Sequence, residues 1–145
     1  MKFRSLLTLV LTATVIGVCG TSHAISPFKK AFEDKYVKDS GSDDFQAAFR
    51  SSGCNVCHVK DEKKDVVNAY GLVLADLIEG NANDRVKEAR AGGSDARKAE
   101  EEKLLKEFEE AMKKAESSNS PSGETYGELF KAHRLPGAEG AKSIR

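Results

Sequence analysis

The sequence predicts an all-α domain of about five helices, on three observations. Apolar residues recur at three- and four-residue spacing through most of the chain, as on the buried stripe of a helix. No run alternates apolar and polar residues in the manner of a half-buried strand. Serine, glycine and proline fall between the periodic stretches, where helix caps and stops belong. The length of 145 residues supports one domain rather than two.

Ser26-Pro27 reads as the first helix start, a hydroxyl cap followed by proline at the first helical position. Phe28, Phe32 and Tyr36 then fall four apart on one face. Lys38 to Gly41 breaks this helix, and Ser42 caps a second one carrying Phe45, Ala48 and Phe49. Gly53 interrupts it. After a charged patch from Asp61 to Asp65, a third helix presents Val66, Tyr70, Val73, Leu74, Leu77 and Ile78, with Gly80 at its end.

Asn81 to Gly93 is polar, with one short helix around Arg85. Ser94 then caps the longest helix, Asp95 to Glu116. Its buried stripe is Leu104, Leu105, Phe108, Met112 and Ala115, and its outer face pairs Glu with Lys. Ser117 to Gly123 is a linker. The last helix, Glu124 to Ala132, presents Tyr126, Leu129, Phe130 and His133, and Pro136-Gly137 ends it. Residues 138–145 read as a flexible tail.

Lysine and arginine number 23, as do aspartate and glutamate, so nothing in the charge balance supports a nucleic-acid or anionic-membrane binder. The N-terminus is read as an address. Lys2 and Arg4 precede an uncharged run from Leu6 to Val18, and Ala24 supplies a small residue for cleavage. That run is shorter than the roughly 20 residues a membrane span needs. Residues 1–24 are therefore expected to be a cleaved secretory signal peptide, and 25–137 the working domain. Lipoprotein processing at Cys19 is the alternative, with Val18 an unfavourable neighbour. Cleavage leaves an exported chain, periplasmic or in an equivalent extracytoplasmic compartment, with no membrane span.

After cleavage only two cysteines remain, in Cys54-Asn55-Val56-Cys57-His58. Two thiols separated by two residues and followed by histidine form the covalent haem attachment pattern. One helical turn sets Cys54 and Cys57 on one face, within reach of two vinyl groups. His58 then becomes the proximal iron ligand. The expected cofactor is one covalent haem c, with the helices packed around it. Aromatic residues make up only 7% of the chain, and a large apolar cofactor would fill the core they leave.

Three rivals compete with haem. Structural zinc needs four ligands, and beyond this motif the mature chain offers only His133. A thioredoxin-like pair expects a βαβ context. A plain disulfide is the third. The sixth iron ligand stays open among Met112, the leading candidate because it precedes the final helix, His133 as the alternative, and a vacant position. Met112 doubles as core filler, and His133 as an exposed residue at a helix end. Tyr70 is either a propionate partner or a core residue. Lys60, Lys63 and Lys64 either ring a haem edge or belong to a solvated loop.

The chain resembles the small monohaem cytochromes c of planctomycete bacteria. The likeness rests on Phe28-Lys29-Lys30-Ala31-Phe32, Cys54-Asn55-Val56-Cys57-His58-Val59, Asn68-Ala69-Tyr70-Gly71, Gly127-Glu128-Leu129-Phe130 and Leu135-Pro136-Gly137. Some anammox members look like halves of small heterodimers, with His and Cys on the iron, low potential, and binding of nitric oxide or carbon monoxide. This sequence departs from them, because no third cysteine remains once Cys19 is removed. The resemblance implies redox partner proteins and a homo- or heterodimer with a related cytochrome. The expected role is one-electron transfer rather than catalysis; the alternative is a gas-binding or sensing haem protein.

Overall fold

The computed structural model describes residues 26–144, so the expected signal peptide, its expected cleavage point and Cys19 lie outside the described residues. Six α-helices and one two-stranded ribbon make up the regular structure of that range. The all-α expectation holds at this level, and the short helix expected around Arg85 makes the sixth.

The first helix, α1 (Ser26–Phe32), runs directly into a π-turn at Glu33–Val37. The Lys38 amide closes that turn on the Glu33 carbonyl at 2.9 Å. A π-turn holds an extra residue, so positions four and five beyond Phe32 both turn inward. Val37 is buried, and half-buried Tyr36 packs on the Phe130 ring at 4.4 Å.

Helix α2 (Asp43–Ser52) starts where Ser42 accepts the Phe45 amide and stops at Gly53, whose φ of 51° suits glycine. A single 3-10 turn, Gly53–Val56, follows. The third periodic stretch divides in a way the sequence did not announce. Val66–Val67 form β1, and only from Ala69 to Leu77 does the chain coil into α3, capped by Asn68. Helix α4 (Ala82–Ala91) fills most of the polar stretch, capped by Asn81.

Helix α5 (Ser94–Ala115) is the axis of the molecule, with Leu104, Phe108, Ala111, Met112 and Ala115 buried. Ser94 is its first residue rather than its cap; Gly93, at φ 98°, stands in the capping position. Arg85 binds α4 to α5, donating to Glu100 at 2.6 Å, to Glu107 at 2.6 Å and to the Glu79 carbonyl at 2.7 Å. Helix α6 (Tyr126–Lys131) begins at a capping box in which Thr125 and Glu128 satisfy each other's amides.

The tail does not hang loose. Residues Lys142–Ser143 form β2, antiparallel to β1, with Val67 opposite Lys142. The Ala69 amide reaches the Glu139 carbonyl at 2.9 Å, and the Ile144 amide the Asp65 carbonyl at 3.0 Å.

Few as they are, the aromatic residues gather. Phe32 has Tyr36, Phe49, Tyr70 and Phe130 around it, at ring distances of 4.9 to 6.1 Å. Tyr126 extends the cluster from Tyr70. Phe28 lies flat on Phe108, 4.2 Å apart, and joins α1 to α5. Beside this cluster the packing leaves a cavity.

Candidate functional site

The cavity measures about 480 Å3, in the size range of small-molecule and cofactor sites. Cys54, Cys57 and His58 stand together on its wall. Phe28, Phe32, Phe49, Leu72, Leu74 and Phe108 supply much of its apolar lining. Segments from α1, α2, α3, α5 and the tail all border it, so the whole fold converges on the motif.

The motif turn is held by α3. The buried Asn68 side chain donates to the Val56 carbonyl at 2.9 Å and accepts the Gly71 amide at 2.9 Å. Its backbone amide donates to the Cys57 carbonyl at 3.0 Å. Gly71 lets the helix lie directly on the turn. A methyl group there would collide with the Cys57 carbonyl oxygen and come within 2.7 Å of Val67 Cβ. Asn68 and Gly71 are positioning residues that the sequence reading treated only as part of a likeness. An asparagine just before an apolar helix, with glycine three residues on, was the available signal.

Cys54 is exposed, Cys57 is half-buried, and no disulfide joins them. Burial pushes the Cys57 thiol up to about 12, with the neighbouring Cys54 adding to it. The strand-rich context of a thioredoxin-like enzyme is missing among the described residues. Among the described residues no group of three or more His, Cys, Asp or Glu side chains is placed to hold a metal ion.

His58 pairs with Val67 across a single β-bridge, which fixes its backbone against β1. Burial holds the imidazole below its ordinary proton affinity, and the Lys64 charge pushes the same way. The carbonyls of Val66 and Lys64 act in the opposite sense. Nδ1 is buried without a partner at hydrogen-bond geometry. A neutral imidazole on a cavity wall has the lone pair that iron requires. Cys54, Cys57 and His58 therefore fit a covalently attached haem: two thiols, one neutral imidazole and an apolar chamber.

Neither residue offered for the sixth position borders the cavity. Met112 is fully buried in α5, and its carbonyl accepts the Tyr36 hydroxyl at 3.2 Å. His133 is exposed and lies on the Phe45 ring at 5.6 Å. It has φ 55°, its amide meets the Phe130 carbonyl, and the Arg134 amide meets the Leu129 carbonyl. That pattern is a Schellman stop for α6, with His133 in the left-handed position.

Tyr70 does not border the cavity; it is buried among Phe32, Tyr126 and Phe130, with its hydroxyl unpartnered. Burial, above all, raises that hydroxyl well above the usual tyrosine range. Lys64 borders the cavity, while Lys60 and Lys63 do not. Lys29 and Lys142, unremarked in the sequence, do. Among the described residues no helix is long and apolar enough to cross a membrane. Compared with models of known families, with curated proteins and with solved structures, the chain matches none.

Proposed function

We propose that this chain is an extracytoplasmic monohaem c-type cytochrome that carries one electron between redox partner proteins. The reading is supported by one observation above the others: Cys54, Cys57 and His58 share the wall of a largely apolar cavity built by the whole fold. Cys54 and Cys57 would hold the haem by thioethers, and His58 would ligate its iron. A haem bound there supplies reversible one-electron exchange through its edge.

The chain's own residues do the rest. Asn68 and Gly71 keep the motif turn in one conformation, so the imidazole does not swing when the iron changes charge. The rings of Phe28, Phe32, Phe49 and Phe108 exclude water from the chamber, which limits solvent reorganisation. Export by residues 1–24 and pairing with a second copy or a related cytochrome complete the proposal.

A second reading is favoured by one specific observation, that Met112 and His133 stand away from the cavity. An iron held by His58 alone on the protein side would leave its sixth position to a diatomic gas. Absorption spectra of the mature protein from a host with haem-attachment machinery test both readings. We expect a covalent haem spectrum that survives acid extraction. Its absence overturns the proposal. A reduced spectrum that shifts promptly with carbon monoxide favours gas binding; one that does not favours electron transfer with a filled sixth site.

A further inference from the structure

Three lysines reach the cavity from widely separated segments: Lys29 from α1, Lys64 from the loop before β1, and Lys142 from β2. Against them the lining sets a single acidic residue, Asp76. Lys29 rests its ammonium over the Phe49 ring, 5.7 Å from the centre. Lys64 and Lys142, like several other lysines of the chain, make no ion pair among the described residues. Both are exposed at the cavity, so an anion entering it would meet two cations that no carboxylate neutralises.

The segment that brings Lys142 there also sets half-buried Ile144 at the cavity, but its other residues are held by directional bonds. Residues 139–143 are exposed, and β2 is two residues long. Directional bonds hold it: the two-residue ladder to β1, the amide bonds of Ala69 and Ile144, and Ser143 Oγ on Asp65 at 2.8 Å. Their effect is to fix Lys142 opposite Val67, which itself bridges to His58.

Resting on the haem reading above, we infer that Lys64 and Lys142 form a two-point clamp for the haem propionates, and that the tail acts as a strap delivering Lys142 to it. Carboxylates entering a half-closed apolar chamber need cationic partners to offset lost hydration. Lysine meets that need as a mobile point charge from the rim. Cys54 and Cys57 would hold the cofactor covalently, and Lys64 and Lys142 would hold its carboxylates, so the chain would grip it by two kinds of bond.

The test uses mature holoprotein: wild type, Lys64→Met, Lys142→Met, the double variant, and Lys142→Arg as the charge-preserving control. Two quantities are read, the propionate bending bands in the resonance Raman spectrum and hydrogen exchange at the Ile144 amide. Each Lys→Met change should shift the bands, while Lys142→Arg keeps them. Exchange at Ile144 should quicken about tenfold in Lys142→Met, the size of one lost charge-assisted contact. Wild-type bands and exchange in the double variant overturn the clamp. Unmoved bands with altered electron exchange to ferricyanide also overturn it, in favour of lysines that steer an anionic partner. Wild-type protein without covalent haem removes the proposed function itself, and the clamp with it.

Discussion

The wall that carries the cysteine pair and the aromatic side of the core are held together by different forces. On the aromatic side, Phe32, Tyr70, Tyr126 and Phe130 touch through ring faces and edges, and the stabilisation comes from area removed from water. On the motif side, short backbone bonds and one buried asparagine set the conformation. Non-directional packing tolerates changes of shape; a turn fixed by bonds and by the lack of a side chain does not. The candidate site sits on the intolerant wall.

The largest expected effect breaks that wall. Gly71→Ala must push α3 away from the Cys57 carbonyl, at a cost of about 3 kcal/mol or more in urea unfolding. A volume-conserving Leu104→Met on the packed side should cost less than about 1.5 kcal/mol. Equal losses in the two variants would erase the distinction.

Arg85→Met has an intermediate effect, because its ion pairs join α4 to α5 at a partly solvated seam. A loss of about 1 kcal/mol is expected near neutral pH. The Arg85 hydrogen bond holds the Glu107 carboxyl below its ordinary 4.5. Stability from that pair is full above about pH 4.5 and is lost as pH falls through the lowered value. The variant's stability should therefore fall less steeply over this acid range, as followed by circular dichroism against pH.

The smallest effect has the opposite sign. His133 occupies a left-handed position that costs a non-glycine residue free energy. His133→Gly should stabilise the fold by about 0.5–1 kcal/mol and leave the iron spectrum as in wild type. A changed spectrum would return His133 to the proposed haem site.

Helices were legible wherever a periodic stripe coincided with a punctuating residue. Ser42 and Gly53 bound α2 as read, and the stripe of α5 contains Leu104, Phe108, Met112 and Ala115 as read. The misreadings share a cause: apolar spacing does not reveal a pairing partner far along the chain. Val66 fits a helical face in sequence, yet pairs with Ser143 because the tail returns. The same blindness hid Lys142. Within the candidate site, Cys54, Cys57 and His58 were legible because all three lie inside five consecutive residues. Asn68 was not, since its bond to Val56 spans a loop. Met112 was read as both core and ligand, and the structure places it in the core, because a stripe position on a helix does not tell which neighbour it meets.

The π-turn at Glu33–Val37 bears on how this protein can change length. It amounts to an α-helix carrying one residue more than its turns require. Removing a residue such as Asp34 would leave an uninterrupted α-helix, its N-terminal part turned by about 100° relative to its C-terminal part. Phe28 would then leave Phe108, or Tyr36 would leave Phe130 and its bond to Glu116. A one-residue gap in this segment, harmless by the usual criterion of surface insertions, is therefore a change in which aromatic rings meet. When related sequences are aligned, a gap here counts as a core substitution.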